Sequence, residues 1–225
     1  MICPVINPAL PMLLTGQNPY AVQDLKDIMG AVLSNKQLIS RLNTGDPYWQ
    51  EFTTFPGRFD FQMQVTAENL DTAAHYKPES CTLVRGRRDE ERAISAALYS
   101  QPLTNAVKEI HAWGGLVFIC VPAFSQEDLA AVKETGADGI EINFDFPAGN
   151  FREEICYTER TAEYAETAQK QGLQFSLSGN IDFMNITAIL RIKHLQRLDV
   201  SRSVFVRAMS TGLPTAADEM LALLQ

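Results

Sequence analysis

The feature that most constrains this chain is a repeated alternation of short apolar runs with helix-type stretches, from about residue 59 to the C-terminus. Phe59-Asp60-Phe61-Gln62-Met63-Gln64-Val65 alternates large apolar and polar residues with the period of a strand. Thr66 then reads as an N-cap before Ala67-Glu68-Asn69-Leu70. Further strands are expected over 80–84, 116–121, 137–142, 173–177 and 198–204. Between them lie helices over 95–112, 125–136, 156–171 and 184–192, with a last one over 214–224. Strands too apolar to have a wet face imply a parallel sheet covered by helices. With 2–7 as a first strand and 37–42 as a weak second, the chain makes about eight strand–helix units in 225 residues. That predicts an α/β fold, a TIM (β/α)8 barrel forming a single domain. A doubly wound sheet is the rival, but no glycine-rich phosphate turn follows the first strand. Residues 44–59, which include Gly45-Asp46-Pro47-Tyr48-Trp49 and Phe55-Pro56-Gly57-Arg58, are expected to form an irregular loop on the barrel mouth.

Charge narrows the partners. The chain carries 19 basic and 27 acidic residues, a net charge of −8. A general nucleic-acid binder would need a basic stripe, so that class is set aside. A small anionic substrate remains open, since a pocket needs only one or two local cations. No apolar run approaches the roughly 18–20 residues of a membrane span. The opening Met1-Ile2-Cys3-Pro4 lacks the basic start and apolar core of a signal peptide, so no membrane association and a cytoplasmic location are expected. Cys3, Cys81, Cys120 and Cys156 form no Cys-x-x-Cys pair and sit in or beside apolar stretches. Buried free thiols are the expectation, rather than zinc ligands or disulfides.

Four blocks carry a family resemblance: Phe61-Gln62-Met63-Gln64-Val65-Thr66, Lys77-Pro78-Glu79-Ser80-Cys81-Thr82-Leu83-Val84, Gly139-Ile140-Glu141-Ile142 and Arg207-Ala208-Met209-Ser210-Thr211-Gly212-Leu213. In order and spacing over residues 59–225 they resemble pyridoxine 5′-phosphate synthase, a TIM barrel of vitamin B6 biosynthesis. The N-terminal quarter is similar only at Val5-Ile6-Asn7 and Ala21-Val22-Gln23. The resemblance implies condensation of a deoxyxylulose phosphate with an amino-ketone phosphate, using neither metal nor organic cofactor. It also implies assembly into homo-oligomers. Family catalysis rests on a His after the second strand, a Glu on the third and a His after the seventh. Such groups take and give protons near neutral pH, which Gln and Gly cannot do.

Carried over residue by residue, much of this set is missing. Asn7 and Glu141 match the family's first-strand Asn and sixth-strand Glu. The third-strand Glu falls on Gln62, the seventh-strand His on Gly179, and the eighth-strand Gly-His on Ser201-Arg202. Ser40-Arg41-Leu42-Asn43 is the nearest text to the second-strand His-x-Arg block. His75, His111 and His194 all fall in or just after helices, away from strand C-termini.

The candidate catalytic residues are therefore Glu141, as general base or amine-binding group, and Gln62 in the place of the Glu. The candidate substrate-binding residues are Asn7, Arg85, Arg88, Asn143, Ser178, Asn180, Ser201 and Arg202. Arg202 follows a strand near the turn where such barrels hold phosphate, and its guanidinium suits an oxyanion. A structural pair with Glu141 or Asp145 is the other reading of that side chain. Glu141 with Asp145 lacks a His, so no metal site is expected. The leading functional reading is a divergent enzyme acting on a small phosphorylated or carboxylated carbonyl or amino compound by condensation, dehydration or lyase chemistry, the original synthase activity lost. An inactive paralogue that binds a ligand or partner protein is one alternative, and a working pyridoxine 5′-phosphate synthase is the other.

Overall fold

A computed structural model describes residues 2–8, 29–30, 32, 34–46, 49–86, 92–144 and 151–225. Eight parallel strands close into a barrel in sequence order. They are β1 (Cys3–Ile6), β2 (Ile39–Asn43), β3 (Arg58–Met63), β4 (Ser80–Leu83), β5 (Leu116–Val121), β6 (Gly139–Phe144), β7 (Gln174–Gly179) and β8 (Leu195–Asp199). Closure is made by β1 against β8, with Cys3 opposite Arg197 and Val5 opposite Asp199. The TIM barrel read from the alternation is the fold.

Local signals explain most boundaries. Thr66 caps the helix Ala67–Tyr76, its hydroxyl accepting from Asn69 N at 3.2 Å. Ser125 does the same for Gln126–Thr135, accepting from Asp128 N at 3.2 Å, and Gly136 ends that helix at φ 83°. Three boundaries differ from expectation. The helix expected from residue 95 begins at Ser100, because the Asp128 carboxylate holds Ser95 Oγ and Ala97 N in a turn. The helix expected over 184–192 shrinks to Ile186–Ile189, since Asp182 and Asn185 form a hydrogen-bonded turn before it. The last strand, expected over 198–204, is Leu195–Asp199, and Ser201 already opens the helix Ser201–Thr211. Val200 and Val204 mimic a strand in sequence, but the Asp199 carboxylate takes the Ser201 amide at 3.1 Å and starts the helix there.

Residues 44–59, expected as irregular, hold a 3₁₀ helix, Trp49–Thr54, with Trp49 and Phe52 in the core. Trp49 packs edge-on against Phe61 of β3 and Tyr76, each at 5.1 Å between ring centroids. The cysteines divide: Cys81 and Cys120 are buried, Cys3 is half-buried and Cys156 is exposed on its helix. The expectation of four buried thiols thus fails at Cys156, whose neighbour Ile155 is exposed with it, and holds only in part at Cys3. None of the described helices is long and apolar enough to cross a membrane.

Side chains alternate sharply across the strands. Phe61, Met63, Ile119, Ile140, Ile142, Phe144, Phe175 and Leu177 face the helices in one continuous apolar cluster. The residues between them face the barrel interior and, apart from Phe118 and Cys120 of β5, are largely polar: Arg41, Asp60, Thr82, Glu141, Ser176 and Arg197 are all buried. Bulky branched residues ordinarily fill that space. Here it holds charge.

Candidate functional site

The floor of the interior is organised by Arg41 of β2. Its Nε donates to Asp60 Oδ2 at 2.8 Å. Nη1 donates to Glu141 Oε1 at 2.9 Å and Asp199 Oδ2 at 3.2 Å, and Nη2 to Glu141 Oε2 at 2.7 Å and Thr82 Oγ1 at 3.1 Å. All the N–H donors of a guanidinium are thereby used, with Glu141 held in a two-pronged pair. Asp60 also accepts from Ser80 Oγ at 2.6 Å and Thr82 Oγ1 at 3.0 Å. Arg197 Nη2 lies 2.9 Å from Asp60 Oδ1, close enough for an ion pair though not aligned as a hydrogen bond. The Arg197 guanidinium stacks over the Phe118 ring at 4.1 Å. Arg92, from the segment after β4, adds Nη2 at 3.3 Å from Glu141 Oε1, and Ser176 Oγ donates to Glu141 Oε2 at 3.1 Å.

These contacts set the protonation states. Burial opposes charge on Glu141, but Arg41, Arg92 and Arg197 outweigh it and hold its carboxyl below the usual range. Burial likewise opposes charge on Asp60, and Arg197 with Arg41 drives its carboxyl well below the usual range. For Arg41, desolvation is outweighed by Glu141, Asp60 and Asp199, which raise its pKa. Cys120, buried beside Glu141, has its thiol pushed up to about 12 and stays protonated. Glu141, expected as a general base, is instead an ionised, fully paired carboxylate with little basicity. Its partner is Arg41 and not Arg202.

One layer nearer the C-terminal mouth come Asn7, Gln62, Asn143 and Ser178, each two residues beyond an inward-facing residue of its strand. Gln62 and Ser178 are buried, while Asn143 is exposed. Asn143 Oδ1 lies beside Gly179, which adopts φ 114°. A Cβ at Gly179 would meet Asn143 Oδ1 and Phe144 O at 2.6 Å and Phe144 N at 3.0 Å, so the backbone leaves no room for a side chain there. Beside this layer a polar cavity of about 220 Å³ is lined by Asn43, Thr44, Gln64, Thr66 and Asn69.

At the rim, Arg202 and Asn180 meet, with Arg202 Nη1 donating to Asn180 Oδ1 at 2.7 Å. Both are exposed, and Arg202 lies in the first turn of Ser201–Thr211. Ser201 is occupied differently. Its hydroxyl donates to Asp199 and accepts from Asn7 N at 2.8 Å, tying the end of β8 to the end of β1. Arg85 is exposed, its backbone N–H donating to Arg92 O at 2.9 Å, so the ends of that loop meet. Arg88 and Asp145 lie outside the described residues. A groove of about 960 Å³, lined by Asp182, Phe183, Met184, Val206 and Leu223, runs outward from Arg202 between the segment after β7 and the two C-terminal helices. It lies outside the ring of strands.

The chain has three histidines, and none is at the mouth. His111 Nε2 sits 2.8 Å from Asp138 Oδ2 before β6, His194 precedes β8, and His75 meets Tyr76 edge-to-face near the end of the helix leading to β4. All three belong to the N-terminal end of the barrel. Among the described residues no group of three His, Cys, Asp or Glu side chains is placed to hold a metal ion.

Sequence reasoning brought Glu141, Gln62, Asn143, Ser178 and Asn7 correctly to one end of one interior. It missed Arg41, Asp60, Arg92, Arg197 and Asp199. For Asp60 and Asp199 the signal is parity, since each is an inward residue between apolar neighbours, whereas Arg41 and Arg197 have Ser40 and Gln196 beside them.

The fold and the polar mouth define a single-domain TIM barrel with its candidate site at the strand C-termini. The family model described as "Pyridoxal phosphate biosynthesis protein PdxJ" matches residues 50–225. The chain belongs to that family. It is 30% identical over 182 residues to the pyridoxine 5′-phosphate synthase of Syntrophobacter fumaroxidans, covering 76% of this chain and 73% of that one. To the enzyme of the same name from Desulfatibacillum aliphaticivorans it is 29% identical over 170 residues, covering 72% and 69%. Among solved structures it is similar to KGPDC from Streptococcus mutans, with a TM-score of 0.69 at 9% identity over 100% of this chain and 97% of that one. It is also similar to 3-keto-L-gulonate-6-phosphate decarboxylase from Vibrio cholerae, with a TM-score of 0.63 at 14% identity over 100% and 94%. At such identities those two likenesses concern the fold alone.

Proposed function

We propose that this chain is a divergent pyridoxine 5′-phosphate synthase-type barrel that binds a small phosphorylated or carboxylated carbonyl or amino compound at its mouth. On this reading it no longer runs the family's imidazole-dependent ring closure. The observation that carries the reading is the placement of every histidine at the opposite end of the barrel, together with Gly179 where a side chain cannot fit. Glu141 cannot replace them, because Arg41 holds it as a paired carboxylate. One missing general acid or base typically costs about 10²- to 10⁴-fold in rate. What supports anion binding is the Arg202–Asn180 pair beside the start of the helix Ser201–Thr211, where a guanidinium and a helix N-terminus both favour negative charge.

The test is complementation of a vitamin B6 auxotroph that lacks the synthase, with expression checked by immunoblot. No growth without added vitamin is expected, and growth would overturn the loss of ring closure. In parallel, phosphate should raise the melting temperature of the wild type and not of Arg202→Ala. A shift of equal size in both would remove the rim from the reading.

The extent of the family match and the names of the relatives favour a second reading, a working pyridoxine 5′-phosphate synthase. With no histidine at the mouth, proton transfer would then fall to carboxylates. Growth of the auxotroph decides in its favour, and a bell-shaped pH–rate profile with carboxylate-range limbs would be its signature.

A further inference from the structure

The groove of about 960 Å³ outside the ring of strands takes no part in the buried ionic network. One wall is the segment after β7, and the other is the packed pair of helices Ser201–Thr211 and Leu213–Leu223. The first wall is braced by its own hydrogen bonds. Asp182 Oδ1 accepts from Met184 N at 2.8 Å and Asn185 N at 2.9 Å, while Asn185 Nδ2 donates to Asn180 O at 2.7 Å. Ile181 is buried in this wall, and Phe183 packs against the core.

Three large apolar side chains from three different elements line the groove and remain in contact with solvent. Met184 is 90% exposed, Val206 63% and Leu223 42%. Single exposed apolar residues are ordinary, whereas several converging on one concave, preformed surface mark a binding site. The volume lies within the range of small-molecule pockets, about 300–1,000 Å³.

Charge and length select the occupant. Of the charged side chains in the lining, Arg207 is matched by Glu219 through bonds of 2.6 and 3.0 Å, and Asp182 is turned into its own loop. Arg202 has no carboxylate partner among the described residues, its bond going to the neutral Asn180 amide at 2.7 Å. One end of the groove therefore offers a guanidinium able to take an oxyanion. Arg202 and Arg207 lie five residues apart on one helix, about 7.5 Å along its axis. The apolar stretch between them is shorter than the roughly 10.5 Å from i to i+7 that a docked helix presents. It suits a single flat or compact apolar group.

The geometry points to a second ligand site, outside the barrel, for a small monoanion with an aromatic or compact aliphatic body. Its carboxylate sits on Arg202, and its body lies between Phe183 and Met184 on one side and Val206 and Leu223 on the other. The site rests on the reading above only for the anion preference of Arg202. Because that guanidinium is shared, an occupant of the groove and a phosphate at the rim exclude each other.

Calorimetric titration of the full chain with 1-naphthoate, the neutral 1-naphthylmethanol and acetate tests this. 1-Naphthoate should bind about tenfold or more tightly than either of the others, one of which lacks the charge and the other the body. Val206→Glu and Met184→Glu change exposed side chains, so both variants should fold as the wild type does and bind 1-naphthoate at least about tenfold more weakly. Arg202→Ala should lower 1-naphthoate to the level of 1-naphthylmethanol and leave the neutral compound unaffected. No binding of 1-naphthoate, equal binding of the charged and neutral compounds, or an affinity that survives both glutamate variants overturns the site. A wild-type dimer in sedimentation that Val206→Glu dissociates also overturns it, since a second copy would then cover the groove. If inorganic phosphate does not bind but 1-naphthoate does and Val206→Glu weakens it, the phosphate reading of the rim fails while the groove site stands.

Discussion

On their outer faces the strands present Ile119, Ile142, Phe175 and Leu177 to the helices, and on their inner faces, one residue along, Arg41, Asp60, Glu141 and Arg197. Both sets are buried, yet they depend on their neighbours in different ways. An apolar side chain needs only other apolar atoms, so each contributes nearly independently and truncation leaves the rest in place. A buried charge needs its particular partner. Arg41 serves Asp60, Glu141 and Asp199 at once, so one guanidinium links all three carboxylates of the inner face. The charge balance that permits burial also fixes Glu141 as a carboxylate.

The sharpest way to break the comparison is Arg41→Met. It leaves Asp60, Glu141 and Asp199 short of a partner, although Arg197 still faces Asp60 and Arg92 still faces Glu141. Removing one partner from a buried pair costs about 3–5 kcal/mol, which urea denaturation would read as a lower midpoint. The pH dependence should also invert. In the wild type the folded-state pKa values of Asp60 and Glu141 are lowered. Their stabilisation is therefore present above the unfolded values of roughly 4 and is lost as pH falls through the folded ones. Wild-type stability should stay flat between pH 7 and about 5 and drop only in stronger acid. In Arg41→Met, Asp60 keeps Arg197, the stronger of its two cationic neighbours, whereas burial of Glu141 without its main partner raises that carboxyl, so the folded state takes up a proton there and the variant should gain stability as pH falls from 7 to about 5. A variant with the wild-type pH profile would mean Glu141 never depended on Arg41.

On the outer face, Leu177→Ala should cost about 2–5 kcal/mol through lost burial and a residual cavity. The loss should be the same at pH 5 and pH 7, because no titratable group is touched. A pH-dependent loss there would show that the two faces are coupled.

The difference between the faces also explains what the sequence could tell. Leu116–Val121 was legible as a strand at its full length, because β5 is apolar on both faces, with Phe118 and Cys120 inward and Val117 and Ile119 outward. β2 was legible only weakly. Ile39-Ser40-Arg41-Leu42-Asn43 reads as a half-exposed segment unless its arginine is known to face Glu141, a residue 100 positions away. Gln62, Asn143 and Ser178 could be placed at the mouth from strand ends alone. Ser201 could not be read as spent, since its partners, Asn7 and Asp199, meet only when β8 closes on β1. Charge pairing across a barrel has no local signature, whereas apolar alternation is written in every strand.

The smallest effects sharpen the contrast best, because two near-isosteric changes can be set side by side. Thr82→Val removes a hydroxyl that donates to Asp60 at 3.0 Å and accepts from Arg41 Nη2 at 3.1 Å. Asp60 keeps Arg41 and Ser80, so the change should cost about 1–3 kcal/mol, the penalty for an Arg41 donor left unpaired. Ile142→Val, on the opposite face of β6, should cost about 0.5–1.5 kcal/mol. The two ranges overlap in size, so the discriminating measurement is acid unfolding. Losing the hydroxyl weakens the field that keeps Asp60 ionised, so Thr82→Val should unfold at a higher pH than the wild type. Ile142→Val should be shifted by no more than its lower neutral-pH stability accounts for. Matching acid midpoints in variants of equal neutral-pH stability would mean that Asp60 takes its ionisation from the arginines alone, with the Thr82 hydroxyl contributing only packing.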